Sequence, residues 1–232
     1  MTTPLLLIPG LGSDATVWNR TIAALGGAPP AAIGDTLQDD SLEGMARRIL
    51  ASAPARFVLA GVSMGGMVAM EIMRLAPERV GALALLDTNA RPDTEAQKAR
   101  RKAVNAAMLA ARDIRSLGGS SLDHLVHASA PASVRQELTE MTVRVGVETY
   151  VRQNLAVAAR ADLRPVLSTI TVPTYVIVGQ EDRMTPPELS REICQRLPDA
   201  QMHVLPDCAH LPPIEKPEAT AALLRELVLK AG

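Results

Sequence analysis

A chain of 232 residues, 47% hydrophobic and 21% charged, fits one domain with an inserted segment and can bury a core without disulfides or metals; disorder and coiled coil are both excluded. Lys and Arg number 24 against 25 Asp and Glu, so the basic excess of a nucleic-acid binder is absent. The two cysteines, Cys194 and Cys208, make neither a CxxC pair nor a disulfide framework, and no group of His, Cys and acidic residues has metal-ligand spacing.

No run of about 18 apolar residues is present to cross a membrane. Met1-Thr2-Thr3-Pro4 leads straight into an apolar run without the basic start or cleavage site of a signal peptide, so a cytoplasmic protein is expected. In chain order, Leu5–Ile8 reads as a first strand, continuously apolar as a parallel strand covered on both faces should be. Asp40 with Glu43 forms a capping-box pattern ahead of Leu42, Met45, Ala46 and Ile49, one face of a helix. Phe57–Val62 is the next strand, followed by a helix over 64–76 that Pro77 closes, and then the strand Val80–Leu86. From about residue 89 to about residue 171 no strand pattern appears, and the segment reads as helices over 94–115, 133–145 and 148–159. Alternation resumes with a strand over 175–178, a helix over 187–197, a strand over 202–205 and a helix over Pro217–Lys230, the two helices each with a proline in the first turn. Such β-α alternation predicts an α/β fold, a doubly wound and mostly parallel sheet. The expected organisation is a core of residues 1–88 and 172–232, with a helical cap of residues 89–171 inserted over the rim.

Gly61-Val62-Ser63-Met64-Gly65 is a G-x-S-x-G string lying between a strand and a helix, the setting in which a sharp turn lifts the serine hydroxyl above a sheet. A serine attacks only when a base takes its proton. Of His124, His127, His203 and His210, the first two lie in the helical insertion and His203 lies within a strand. His210 follows the last strand, at the rim level with Ser63, and is the base. An orienting carboxylate should come from another rim loop, and Gly179-Gln180-Glu181-Asp182 offers Glu181 and Asp182; the order Ser, acid, His is then that of residues 63, 181 or 182, and 210. For the developing oxyanion, two backbone N–H groups are needed. Met64, just after the serine, supplies one, and Leu11 in Pro9-Gly10-Leu11-Gly12-Ser13-Asp14 is best placed for the other. That loop lacks G-x-G-x-x-G and a following Lys, so phosphate binding is disfavoured.

These features resemble the α/β-hydrolase family over nearly the whole chain, through LLLIPGLGSDATVW at 5–18, the stretch 57–88 around Ser63, PTYVIVGQEDRMTPPE at 173–188 and AHLPPIEKPE at 209–218. The spacing from Gly179 through Asp182 to Pro186 is similar to the family's acid loop and selects Asp182 over Glu181, with Asp87 at the end of its strand as the alternative acid. The branch resembled is that of small bacterial esterases, lactonases and relatives with a helical cap. The resemblance implies Ser63 as nucleophile, Asp182 as orienter, His210 as base, Leu11 and Met64 as oxyanion donors, and no cofactor or metal. Two departures stand out. Pro9-Gly10 replaces a frequent His-Gly, leaving the anchoring of the oxyanion loop open, and the usual Asp-x-x-Gly-x-Gly after the second main strand is missing, as for a shortened connection at residues 33–39.

The expected function is hydrolysis of small to medium carboxylic esters through an acyl-enzyme, by a monomer or homodimer acting on a small-molecule ester without nucleic acid or membrane. Lactone, thioester, C–C bond or peroxyacid chemistry on the same residues is the first rival, and a hydrolase-fold protein that binds without turnover is the second. The cluster Lys98-Ala99-Arg100-Arg101-Lys102 reads as a solvated helix face, Met64, Met67, Met70 and Met73 as core, and Cys208 as a small buried filler. Tyr150 is a candidate pocket residue, and the cap is expected to select substrate without supplying the core chemistry.

Overall fold

A computed structural model describes residues 3–114 and 124–231. Its strands β1 (Leu5–Ile8), β2 (Ala31–Ile33), β3 (Phe57–Val62), β4 (Val80–Leu86), β5 (Thr174–Gly179) and β6 (Ala200–Leu205) form one sheet, every pair parallel, in the order β2-β1-β3-β4-β5-β6. Side chains alternate across it. Leu5, Leu7, Val58, Ala60, Ala82 and Ala84 face a core with Trp18 and the helix α9 (Pro217–Lys230), while Leu6, Ile8, Leu59, Leu83 and Leu85 face α2 (Leu42–Ser52) and α3 (Met64–Leu75). Burial on both faces is why these strands read as unbroken apolar runs. The four methionines of α3 lie in this second core.

The strand β2 was not anticipated. It is three residues long, Ala-Ala-Ile, at the sheet edge with two of them exposed, so it carries neither an apolar run nor a clear alternation. The start of α2 also differs by one residue: its cap is Ser41, whose hydroxyl accepts from Gly44 N at 3.1 Å, and not Asp40. Glycine at that third position has no side chain to reach back, so the reciprocal box expected from Asp40 and Glu43 does not form.

Between β4 and β5 the described residues contain helices and no strand: α4 (Glu95–Ala111), α5 (Ala132–Ala158) and the short α6 (Arg164–Leu167). Thr94 and Gln97 make a full capping box at the start of α4. The helix ends at Ala111 because Arg112 turns left-handed at φ 52°; the expected terminus, Arg115, lies outside the described residues. The break expected between two helices falls within α5, at Gly146, whose φ of 77° and ψ of 167° interrupt the helical backbone. Ion pairs tie α5 to the first rim loop and to α1 (Asn19–Leu25), from Arg144 to Asp14 at 2.9 Å and from Arg20 to Glu137 at 2.8 Å. After β5 come α7 (Pro187–Arg196), β6 and the single turn α8 (Pro212–Glu215). Among the described residues no helix is long and apolar enough to cross a membrane.

The order of the strands dictates where a site can form. From β1 the chain steps outward to β2, then crosses back to β3 on the other side of β1, so the loops leaving β1 and β3 part company above the carboxyl edge and leave a crevice. The two strand ends are in register, Ile8 opposite Gly61, and α3 packs close beneath the β1 loop. A Cβ on Gly65 would lie 2.2 Å from Ile8 O and 2.7 Å from Pro9 O, both backbone atoms that cannot swing aside. We therefore expect Gly65→Ala to cost about 3 kcal/mol of unfolding free energy through overpacking. Gly27→Ala, at φ +86° with nothing within 4 Å, should cost only the left-handed penalty of about 1 kcal/mol. Urea melts of both variants check this, and equal losses would contradict the close packing of the β1 and α3 ends.

Candidate active site

Val62 ends β3 and Met64 opens α3, so the chain must turn within Ser63. It does so at φ 56° and ψ −118°, a strained conformation for a residue with a side chain, worth on the order of 1–3 kcal/mol. The turn is braced on both sides: Ser63 N donates to Leu86 O at 2.9 Å, and the Thr88 hydroxyl donates to Ser63 O at 2.7 Å. Gly61 has to be glycine, since a Cβ there would meet Gly65 O at 2.2 Å.

Two further loops converge on the serine. His210, which follows β6, places Nε2 2.9 Å from Ser63 Oγ and Nδ1 2.9 Å from Asp182 Oδ2, which comes from the loop after β5. Asp182 is itself well held. Its Oδ1 accepts from Met184 N at 2.7 Å and Thr185 N at 3.1 Å, and its Oδ2 accepts from the Thr185 hydroxyl at 2.6 Å. Burial alone would raise the Asp182 carboxyl, but the charge of His210, its hydrogen bond and that of Thr185 overrule burial and hold the group well below its ordinary range. An ionised Asp182 only accepts, so Nδ1 of His210 carries the ring proton and Nε2 is left to accept from Ser63.

The other sequence candidates fall into different places. Glu181 turns away from the imidazole, and its Oε2 accepts from Cys208 N at 3.1 Å. Asp87 lies fully buried at the end of β4, at φ 41°; its Oδ1 accepts from Gly179 N at 2.9 Å, and its side chain is hydrogen-bonded to that of Asp182. Burial first, then the negative charge of Asp182, push the Asp87 carboxyl well above its ordinary range, so it stands beside an ionised Asp182 as a neutral acid. The donor atoms of Asp87, Asp182 and His210 lie within 4.8 Å of one another, close enough for a cation. The His210–Asp182 bond already uses two of those atoms, and Asp87 holds a proton, so the group reads as a hydrogen-bonded acid–imidazole set.

Leu11 sits in the turn after β1, closed by Ser13 N donating to Gly10 O at 3.3 Å. The loop touches the serine turn: a Cβ on Gly10 would lie 3.3 Å from Ser63 Cβ. Among the described residues neither the Leu11 nor the Met64 N–H has a hydrogen-bond acceptor. Cys208 is fully buried, with burial and then Glu215 pushing its thiol up, so it packs and does not react. In the basic cluster Lys98, Arg100 and Lys102 are exposed, while Arg101 turns in to Asp93 at 2.6 Å. His124 is exposed, and His203 packs its ring on Tyr175 at 4.4 Å.

Besides Thr88, three supporting residues escaped the sequence reading. Thr185 was marked in outline by the Asp-x-x-Thr of a local side-chain turn. Glu215 braces the histidine loop on both sides, accepting from Ala209 N at 3.1 Å and Leu211 N at 3.0 Å, and also binds His127 N at 2.6 Å. Gln153 of α5 accepts from Gly12 N at 2.8 Å. The contacts of Glu215 to His127 and of Gln153 to Gly12 span distances that no local pattern encodes.

The sequence pattern of the alpha/beta hydrolase family matches residues 5–223. The chain belongs to that family. It is 28% identical over 238 residues to a pimeloyl-[acyl-carrier protein] methyl ester esterase of Neisseria meningitidis, covering 96% of this chain and 75% of that protein. A thermophilic esterase from Thermogutta terrifontis superposes on this hydrolase with a TM-score of 0.87 at 28% identity, covering 99% and 90% of the two chains. An enol-lactonase from Burkholderia xenovorans, at 23% identity, shares the fold with a TM-score of 0.85, covering 99% and 92%.

The two buried acids of this α/β hydrolase make opposite predictions. Asp182→Asn should lower kcat by about 10⁴ by stabilising the wrong imidazole tautomer. Asp87→Asn, nearly the same shape as the neutral acid, should leave kcat within about tenfold, since one tenfold step is only 1.4 kcal/mol of barrier. Asp87 also has a stability signature. Unfolded, it ionises near about pH 4, whereas folded it keeps its proton, so the wild type loses stability as pH rises above that point. Asp87→Asn removes that decline, up to about 1.4 kcal/mol per pH unit, and urea melts between pH 4 and 7 measure it. A steeper fall of stability with pH in Asp87→Asn than in wild type would overturn the assignment of a neutral acid.

Proposed function

We propose that this chain is a serine carboxylic ester hydrolase, with Ser63 as nucleophile, His210 as general base and acid, Asp182 as orienting carboxylate, and the Leu11 and Met64 N–H groups as oxyanion donors. The observation that carries the reading is the unbroken chain of two 2.9 Å hydrogen bonds from Ser63 through His210 to Asp182. The esterases among its relatives support an ester as substrate. The methyl ester in the name of the Neisseria protein supports a small alcohol as leaving group.

In the first half-reaction Ser63 Oγ attacks the ester carbonyl while its proton passes to His210 Nε2. Charge developing on the carbonyl oxygen falls to the two N–H donors, each worth on the order of 3 kcal/mol in such a site. The tetrahedral intermediate collapses, the C–O bond to the alcohol breaks, and His210 returns the proton to the departing alkoxide. Water then repeats the sequence: His210 takes its proton, the hydroxide attacks the acyl-serine, and Ser63 Oγ leaves as its hydroxyl with the proton from His210 while the acid departs. Asp182 stays ionised throughout and stabilises the imidazolium of each step. Residues 1–88 and 172–232 carry every one of these groups. Residues 89–171 are the cap, and it meets the site through Tyr150, whose ring lies over Gly12, and through Leu125, whose carbonyl accepts from His210 N at 3.2 Å.

A fluorophosphonate should label the protein at Ser63, located by peptide mapping, and Ser63→Ala should abolish labelling and lower kcat by about 10⁶ on p-nitrophenyl esters. Labelling elsewhere, or a pure Ser63→Ala protein with near-normal turnover, sinks the proposal.

A further inference from the structure

The loop that carries Leu11 is tied at its far end by the Asp14–Arg144 ion pair, but the turn over residues 10–13 is closed on itself by the 3.3 Å bond from Ser13 N to Gly10 O. Pro9-Gly10 offers no side chain to hold it, and Gly12 in the turn stands at φ +71°. A glycine at the third position of such a turn lets the preceding peptide adopt either of two flipped orientations at little cost. One contact removes that freedom. The Gly12 N–H donates to Gln153 Oε1 at 2.8 Å, and the other end of the same amide, Nε2, donates to Thr36 O at 3.1 Å. Gln153 is completely buried, so water cannot substitute for either partner. One turn earlier on α5, the Tyr150 ring packs against Gly12, within 3.3 Å of where a Cβ would stand.

We infer that Gln153 is the positioning residue of the oxyanion loop: its amide fixes the Leu11–Gly12 peptide, and through the Leu11 Cα the adjoining Gly10–Leu11 peptide, whose N–H (that of Leu11) is thereby held where it receives the tetrahedral intermediate. The inference rests on the proposed role of Leu11 and extends it. It also revises the sequence expectation for residues 89–171, because a helix of that segment then contributes to transition-state stabilisation as well as to selection. Gln153 touches no reacting atom; it acts through the turn.

The test compares Gln153→Met, Gln153→Glu and Arg152→Ala, each on p-nitrophenyl esters and against an alkyl trifluoromethyl ketone, which forms a tetrahedral adduct on the serine. Methionine keeps the length and volume of the side chain and removes both hydrogen bonds. Gln153→Met should lower kcat by about 10², the worth of one oxyanion donor, with KM within about twofold, and should weaken the ketone by the same factor. Gln153→Glu keeps an acceptor for Gly12 and sets an oxygen against Thr36 O; it should melt at a lower temperature yet hold kcat within about threefold. Arg152→Ala removes a neighbouring tether of the same helix, to Leu37 O, and should leave kcat unchanged.

A folded Gln153→Met enzyme with normal kcat and lowered thermal stability overturns the inference, since a purely structural glutamine gives that result. So does an Arg152→Ala enzyme that loses as much kcat as Gln153→Met, which would mark general loosening. If Gln153→Met yields no folded protein, Gln153→Glu decides alone: kcat falling with its stability overturns the inference, and kcat retained despite lower stability supports it. Fluorophosphonate labelling of Ser63 in the wild type is run alongside. Failure to label Ser63 removes the hydrolase reading itself, whereas normal labelling with an indifferent Gln153 removes only this inference.

Discussion

One imidazole has to bond two groups that arrive on different loops, and the rest of the structure is arranged around that requirement. His210 meets Ser63 and Asp182 at 2.9 Å each, and the three residues follow β6, β3 and β5. A shift of 1 Å in any of these loops breaks a hydrogen bond. The sheet removes most of that freedom by ending its strands in register, Val62 opposite Leu86, Leu86 opposite Ile177 and Gly179 opposite Leu205. What remains is taken up by buried and half-buried polar groups on the loops. Glu181 and Glu215 accept from backbone N–H groups on either side of His210, Thr185 fixes Asp182, and Thr88 fixes the serine turn. The strained conformation of Ser63 persists because its neighbours determine it from both directions.

The second constraint is electrostatic. Two carboxyls share the floor of the site, and both cannot be ionised in so dry a place. Their hydrogen bonds decide which one is. Asp182 collects two N–H groups, one hydroxyl and the imidazole, whereas Asp87 accepts from Gly179 N and gives its own proton to Asp182. The charge therefore resides on Asp182, facing His210, and the proton on Asp87, behind it. The difference in bonding is what separates the roles of two acids of the same type and similar burial.

Much of this was legible in the sequence where the information is local or periodic. Four strands announced themselves as apolar runs because they are covered on both faces, the edge strand β6 was legible from Met202, Val204 and Leu205 although it is largely exposed, and Gly61, Ser63 and Gly65 marked the turn because only glycines fit beside it. The missed strand, Ala31–Ile33, is short and half exposed, so burial left no imprint on it. Choosing Asp182 over Glu181 depended on family spacing, since both are acids on one loop; the physical difference is that the Asp182 carboxylate turns back onto its own loop amides while the longer Glu181 reaches across to Cys208. The protonation of Asp87 and the reach of Gln153 to Gly12 could not be read at all. Both depend on residues about 90 and 140 positions away meeting in a buried space, at sequence separations of 92 and 141.

The account stands or falls on the placing of the oxyanion between the loops after β1 and β3. A crystal structure of the protein phosphonylated by a small fluorophosphonate tests it directly, because the phosphoryl oxygen takes the position of the developing alkoxide. The account predicts an adduct on Ser63 whose phosphoryl oxygen lies about 2.7–3.1 Å from both Leu11 N and Met64 N. An adduct on Ser63 with that oxygen turned to solvent, or bonded to other donors, would contradict it.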